Sequence, residues 1–409
     1  MVELFCENSP GNGEYYIFNE ENGMDKQNKP IAFDASSSVA PIGIIPLEGA
    51  RELSDKIEAH LLRWAHRANM DVETFTIENS CPRFQSGDSK GMINSTVRGH
   101  DLYFIVDVGN YSITYDYFGG KNRMSPDDHY QDLKRLIQAA SDKGYRVNVV
   151  MPLLYGGRQH RRSYRESLDC AFALQELHGM GVDNLVTFDA HDPRVQNAVP
   201  IMGFDNLMPT YQVLKKMFKV FPEMDFDREH FMIVSPDEGA LNRNMYYASV
   251  LGVDMGMYYK RRDYSRVVNG RNPIVAHEYL GESMEGKTVF VADDIIASGE
   301  SMLDIARKAK SQGADKFFCY ATYTIFTAGL ESFDKAYEEG MLDAVFGSNL
   351  TYLNPELKTR PWFHEVDVSK YIAYYIYALN HNVSISSLID PHAKIDALLK
   401  KRAEEKNVK

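Results

Sequence analysis

Short apolar runs alternate along this chain with longer amphipathic stretches, and several of the runs stop on polar or charged residues. Leu102–Val108, Val147–Tyr155, Asn184–Asp189, Phe231–Ser235, Thr288–Ala292, Phe317–Thr324 and Ala344–Gly347 each read as a strand. Helical patterns lie between them. Ser163–Leu177 carries Leu168, Phe172 and Leu177 at helix-like spacing and stops at Gly179 and Gly181. Ser301–Ser311 follows a strand, and Gly313 ends it. Strands that alternate with helices require α/β layers with largely parallel sheets. The alternation runs through two successive stretches, and Gly203, Asn206 and Pro209 break it near residue 207. A length of 409 residues fits two or three domains. The expected division is an N-terminal extension or peripheral hairpin (1–38), two α/β domains (39–207 and 208–365), and a C-terminal helical segment (366–409). That last segment is charged from Lys394 onward, and packing back on the first domain is one option for it.

Charge limits the partners. Lys plus Arg number 45 and Asp plus Glu 57, a net charge of −12. Such a chain repels polyanions at long range, so nucleic acid and anionic membrane are poor partners. An anionic ligand must be met by a local basic cluster. Cys6, Cys81, Cys170 and Cys319 lie far apart without metal-ligand spacing, and read as reduced thiols. No apolar run approaches membrane-spanning length, and no basic region followed by an apolar stretch opens the chain. The expectation is a soluble cytoplasmic protein.

The strongest chemical signal is Val289-Phe-Val-Ala-Asp-Asp-Ile-Ile-Ala-Ser-Gly-Glu-Ser301. In a parallel sheet, ligands sit beyond the carboxyl ends of the strands. A tight Ser/Gly turn there aims backbone N–H groups and hydroxyls at one point, and the following helix N-terminus favours a phosphate. Two carboxylates just before it can accept hydrogen bonds from a pair of sugar hydroxyls, or help hold Mg²⁺. A plain helix cap at Ser298 or Ser301 would account for a bare Asp-Asp, but not for the whole thirteen-residue arrangement.

This segment resembles the ribose-phosphate signature of the type I phosphoribosyltransferase superfamily. Five further motifs, in family order, resemble its ribose-phosphate diphosphokinase branch. Pro152–Arg162 contains Arg158-Gln159-His160-Arg161-Arg162 where the family's ATP-binding segment reads Tyr-Ala-Arg-Gln-Asp-Arg-Lys. Arginine forks suit polyphosphate, although a basic run alone is as often a solvated loop. His160 stands where the family usually has Asp. Thr187–Asp192 resembles Asp-Leu-His-Ala, which aligns His191 with a histidine that helps hold the metal of MgATP. Val234–Ala240 resembles Val-Ser-Pro-Asp-x-Gly-Gly and gives Asp237 a role at the metal and the sugar. Lys260 and Arg262 match a Lys-x-Arg that opens a mobile loop over the transferring phosphates. Arg83–Asp88 resembles Arg-Phe-x-x-Gly-Glu, which implies that Phe84, Ser86 and Asp88 contact the adenine of a neighbouring subunit.

The resemblance implies two tandem phosphoribosyltransferase-like α/β domains, each a mainly parallel sheet flanked by helices, with ATP on the first and ribose 5-phosphate on the second. It implies transfer of the diphosphoryl group of MgATP to the C1 hydroxyl of ribose 5-phosphate, giving phosphoribosyl pyrophosphate and AMP. Lys260, Arg262 and His191 would be catalytic. Arg158, Gln159 and Arg161 would bind ATP beside Phe84, Ser86 and Asp88. Asp293, Asp294, Ala297, Ser298, Gly299, Glu300 and Ser301 would bind ribose 5-phosphate, and His191 and Asp237 would hold Mg²⁺. The family also implies a homo-oligomer with ATP sites shared between subunits. Ala297 replaces an acid and Glu300 a glycine of the diphosphokinase loop. Two other readings stay open: a phosphoribosyltransferase acting on a base, and a non-catalytic relative that binds nucleotide and regulates an active enzyme.

Overall fold

The structure is a computed structural model that describes residues 2–6, 15–19, 37–140, 143–262 and 274–407. It divides into two compact units. Unit 1 comprises Met1–Pro209, Asn349–Tyr352 and Asp367–Lys409; unit 2 comprises Thr210–Ser348 and Leu353–Val366. In the N-terminal extension Val2–Cys6 pairs antiparallel with Tyr15–Asn19. Among the described residues, no helix is long and apolar enough to cross a membrane.

Unit 1 is built on five parallel strands: β1 (Ile42–Pro46), β2 (Asp101–Ile105), β3 (Arg146–Val150), β4 (Asn184–Phe188) and β5 (Gly203–Leu207), in the order β5-β4-β3-β2-β1. Thr76 adds a parallel bridge to Ile44. Strands β1 and β2 are buried along their whole length, as a sheet covered on both sides requires. Helices α1 (Arg51–Arg67), α2 (Pro126–Ala140) and α3 (Asp169–Gly179) follow β1, β2 and β3 in the chain. Leu133, Leu136 and Ile137 of α2 and Leu174 and Leu177 of α3 pack on Leu102, Phe104, Val147 and Val149. Trp64 of α1 stacks on Tyr374, ring centroids 4.6 Å apart.

The fully buried Asp101 at the start of β2 joins several elements of this unit. It accepts from Arg146 Nε and Nη2 (2.8 and 2.7 Å), Tyr103 Oη (2.6 Å), Asn148 Nδ2 (2.8 Å) and Asn380 Nδ2 (3.0 Å). Two residues beyond β2, Asp107 accepts from the N–H groups of Gly109 and Tyr352 and from the Thr351 hydroxyl. Burial nevertheless pushes its carboxyl up to about 7.

Four sequence expectations shift, the first being the Leu102–Val108 strand, which runs from Asp101 and stops at Ile105. The helix expected over Ser163–Leu177 begins only at Asp169. Residues 161–167 are exposed and have no apolar face to bury. Phe172, which supplied part of the helical spacing, is 68 % exposed; Ala173, Leu174 and Leu177 form the buried side instead. The strand expected over Val147–Tyr155 stops at Val150, two residues before Pro152. The strand expected over Thr288–Ala292 continues to Ile296.

Unit 2 holds seven strands: β6 (Phe231–Ser235), β7 (Asp254–Arg262), β8 (Ile274–Leu280), β9 (Thr288–Ile296), β10 (Lys316–Thr324), β11 (Ala344–Ser348) and β12 (Phe363–Val366). Their order is β8-β7-β6-β9-β10-β11-β12, parallel except for β8. The chain leaves β6 toward β7 and later returns to its other side as β9. Strand order therefore reverses between β6 and β9, and a crevice opens at their carboxyl ends. Helices α4 (Thr210–Val220), α5 (Leu241–Leu251), α6 (Glu300–Ser311) and α7 (Glu331–Glu338) complete the labelled elements of this unit.

One side chain fixes the geometry of that crevice. Asn244, fully buried on α5, accepts from the Ala292 N–H at 2.9 Å. Its amide lies 2.8 Å from the carbonyls of Ala292 and Ala240 and donates to both. It thereby ties the helix that follows β6 to β9, one residue before Asp293. Asn244→Ala leaves buried backbone groups unpaired and is expected to cost about 3 kcal/mol, with faster exchange of the Ala292 amide. A loss below about 1 kcal/mol in urea denaturation would show that this clamp does not hold the crevice.

Candidate active site

In unit 2, β9 delivers Asp293 and Asp294 to the crevice. Asp294 is buried; Asp293 is half-buried, with its Oδ1 accepting the Asp294 N–H at 2.9 Å and standing 3.5 Å from Arg243 Nη1. Desolvation, then the charge of Asp294, push the Asp293 carboxyl up to about 8, while Arg243 opposes the shift. The pair thus combines strong acceptors with reluctance to hold two charges at once.

The turn that follows is pinned from both sides. The carbonyls of Ile296 and Ala297 accept from the N–H groups of Ile325 (2.9 Å) and Thr327 (2.8 Å). Gly299 adopts φ +82° and abuts the Phe333 ring so closely that a Cβ would lie 2.2 Å from it. No other residue fits both demands. Gly299 is also the N-terminal flank of α6, and no side chain caps that helix. The first-turn N–H groups and the exposed Ser298 and Ser301 offer donors of the kind that suit an anion. Glu300 is exposed in the first helical turn, where the dipole favours a carboxylate.

On the neighbouring strand β6, Ser235 donates to the carbonyl of Asp237 at 2.8 Å. Asp237 Oδ1 in turn accepts from the N–H groups of Gly239 (2.9 Å) and Ala240 (3.2 Å). The carboxylate is thereby held at the carboxyl end of the strand. Lys260 and Arg262 lie at the end of β7, which pairs antiparallel with β8 and changes register between Arg261 and Arg262. Their side chains fall outside the described residues.

In unit 1, the ends of β3 and β4 are tied together. The Phe188 N–H and the Thr187 hydroxyl both donate to the Pro152 carbonyl, at 3.1 and 2.8 Å. The loop after β3 turns at Gly156, at φ +67°. Gln159 then donates to the Ser167 carbonyl at 3.1 Å, while Arg158 and Arg161 are exposed. After β4, the buried Asp189 takes φ +44°, which turns the chain so that His191 is exposed. This brings His160 and His191 together, ring centroids 5.3 Å apart. Asp192 accepts from Arg194 Nη2 at 2.6 Å, and its hydrogen bonds from Arg194 hold its carboxyl down at about 2.

Residues 84–88 form a tight turn. The Phe84 N–H donates to the Asp88 carbonyl at 2.7 Å, and Ser86 Oγ donates to Asp88 Oδ2 at 2.8 Å. The turn is anchored by Arg83, which pairs with Asp132 at 2.9 Å and lies over the Tyr115 ring. Phe84, Ser86 and Asp88 all face outward, and Phe84 is 56 % exposed.

Arg243, Asn244 and Asp192 join the sites without having been singled out in the sequence. Asn244 and Arg243 lie in an ordinary helical stretch, Leu-Asn-Arg-Asn, and only the sheet register reveals what they face. Asp192 could have been found, because it directly follows His191 at a strand exit.

Residues 42–181 match the N-terminal domain of ribose phosphate pyrophosphokinase, and residues 208–341 match the phosphoribosyl transferase domain. Ribose-phosphate pyrophosphokinase of Vibrio cholerae is 26% identical over 315 residues, which span 75% of this chain and 90% of that protein. The Pasteurella multocida protein of the same name is 27% identical over 313 residues, 75% of this chain and 89% of its own. In structure, phosphoribosylpyrophosphate synthetase from Mycobacterium smegmatis superposes with a TM-score of 0.67 at 18% identity, over 83% of this chain and 99% of that one, a likeness of fold. With both domains matched in order along the chain, it belongs to the ribose-phosphate pyrophosphokinase family.

Proposed function

We propose that the protein transfers the β,γ-diphosphoryl group of ATP to the C1 hydroxyl of ribose 5-phosphate, releasing AMP and phosphoribosyl pyrophosphate. The observation that supports this reading is the occurrence, in one chain, of a carboxylate pair leading into a tight turn and an uncapped helix (Asp293 to Ser301) and an arginine-rich loop at a second sheet's carboxyl edge (Arg158 to Arg162). A transferase acting on a base needs the first but not the second. The exposed setting of Glu300 removes the main objection to phosphate binding at this turn, because its carboxylate faces solvent.

Each residue then has a role. The uncapped first turn of α6, with Ser298 and Ser301, holds the 5-phosphate, and Asp293 and Asp294 accept from the ribose hydroxyls. Arg158, Gln159 and Arg161 hold the ATP phosphates. Phe84, Ser86 and Asp88 present a stacking face and acceptors to the adenine of a nucleotide held by a neighbouring subunit. Lys260 and Arg262 neutralise charge that develops between the attacking oxygen and departing AMP; such transfer is governed by positioning and electrostatics.

The donor set fits Mg²⁺. Among the described residues no three His, Cys, Asp or Glu side chains converge to hold an ion unaided. Mg²⁺ is commonly held by one or two protein groups, water and substrate phosphates. His191 in unit 1 and Asp237 in unit 2 are each a group that would hold such an ion, whose chemistry would be neutralisation of phosphate charge.

Lys260→Ala is expected to lower AMP release in the presence of ribose 5-phosphate about a thousandfold, while sugar binding by calorimetry stays within about threefold. Undiminished turnover in that variant removes Lys260 from the mechanism. The Asp293 reading has a pH signature. Its carboxyl accepts hydroxyl donors best when ionised, and its value is raised to about 8. Ribose 5-phosphate affinity should therefore rise up to about tenfold between pH 7 and 9, and Asp293→Asn should remove that rise. An identical profile in both proteins would sink the assignment.

A further inference from the structure

We propose that the cavity beneath the Thr114–Arg123 hairpin of unit 1 binds an uncharged nucleobase or nucleoside, and that filling it braces the turn that carries Phe84. The binding site stands on the cavity itself. Its effect on the reaction rests on the reading of Phe84, Ser86 and Asp88 as adenine contacts.

The hairpin pairs Thr114–Tyr117 antiparallel with Gly120–Arg123. It lines a cavity of about 670 Å³, well inside the range of roughly 300–1,000 Å³ that suits small molecules. Leu47, Met124 and Leu136 are buried along the same cavity and give it an apolar base.

Charge selects the class of ligand. Three Lys and Arg side chains line the cavity, and each is paired with a carboxylate of the same cavity: Arg51 with Glu48 at 2.7 Å, Arg83 with Asp132 at 2.9 Å, and Lys121 with Asp116 at 2.9 Å. Burial pulls the pKa of His129 down, so this imidazole is neutral as well. The cavity thus has no net charge to offer an anion or a cation, and an uncharged ligand enters without breaking a pair.

The walls select a flat ligand with a polar edge. Tyr115, Tyr117 and Phe118 all line the cavity, and the Arg83 guanidinium lies 4.4 Å from the Tyr115 ring centroid. Such faces favour a stacked heterocycle. Ser80, Gln85 and Thr114 line it too, and among the described residues their side chains make no hydrogen bond. A carboxamide can donate and accept along one base edge, as Gln85 could here. Phe118 and Gly119 form the hairpin tip at φ +44° and +80°. A bulky aromatic is strained at positive φ, and Phe118 is 78 % exposed, so burial does not offset that strain.

The hairpin is joined to the turn at residues 83–88. The Phe118 N–H donates to the Gln85 carbonyl at 3.3 Å, and a Cβ on Gly87 would lie 2.8 Å from the Tyr117 ring. A ligand against Tyr117 and Gln85 therefore restrains the segment that presents Phe84. Preorganising that segment lowers the KM for ATP without touching the groups that carry the transfer.

Inosine is the probe, titrated by calorimetry into the full chain with an ATP analogue whose α,β-bridge is a methylene group held at saturation. Saturable binding is expected, with exchange of the Phe118 amide slowed when inosine is bound. Tyr117→Ala and Gln85→Leu should each weaken it at least about tenfold, whereas Tyr117→Phe, which keeps the ring, should stay within about threefold. Hypoxanthine as tight as inosine assigns the base alone; inosine binding without hypoxanthine binding assigns the nucleoside. Inosine 5′-phosphate should bind no tighter than inosine, and a tighter complex overturns the uncharged ligand. No saturable binding to the wild type, or binding that survives both Tyr117→Ala and Gln85→Leu, overturns the site. In turnover assays inosine should lower the KM for ATP about threefold at constant kcat, and an unchanged KM with inosine bound overturns the bracing alone. Phe84→Ala with a wild-type KM for ATP overturns the adenine reading, and the bracing with it, whatever calorimetry shows.

Discussion

The crevice of unit 2 depends on a buried amide. Asn244 bonds both backbone groups of Ala292 and also the carbonyl of Ala240, so it fixes the distance between the loop that follows β6 and the end of β9. Asp237 sits in that loop, and Asp293 and Asp294 follow Ala292 directly. A sheet whose strand order reverses leaves a gap at its carboxyl edge, but the gap alone does not set where its carboxylates point. A buried side chain with several committed hydrogen bonds does, because breaking any one of them strands a backbone group away from water.

The local electrostatics follow from the same framework. A chain with twelve more acidic than basic groups has to bind several phosphates. Under the proposed function it would do so with little net positive potential, by concentrating donors where the chain turns. The α6 N-terminus offers uncapped N–H groups, and the loop after β3 carries a run of arginines. The carboxylates in these places are restrained: burial and each other hold the Asp293–Asp294 pair short of full ionisation, and Arg194 neutralises Asp192. Glu300 remains compatible because it is exposed.

Much of this was legible in the sequence, for identifiable reasons. Fully buried parallel strands are near-continuous apolar runs, so β6 and β10 could be located almost to the residue. The Gly299 turn was legible because a positive φ against an aromatic ring admits only glycine. The helix over Ser163–Leu177 misled because Leu168, Phe172 and Leu177 imitate a buried stripe, yet Phe172 is exposed and the true face uses Ala173 and Leu174. Asn244 and Arg243 were invisible for a different reason. Polar residues in an amphipathic helix look alike in sequence, and only strand order decides which of them meets a sheet edge. The closeness of His160 and His191 likewise arises from the pairing of β3 with β4, not from any local pattern.

In the proposed reaction diphosphate, not a single phosphoryl group and not a base, is joined to the sugar. Phosphorus NMR of the protein with ATP, Mg²⁺ and ribose 5-phosphate tests this directly. AMP and a sugar-linked diphosphate at C1 are expected in equal amounts, with both absent when ribose 5-phosphate is omitted. Formation of ADP, or persistence of both substrates unchanged, would contradict it.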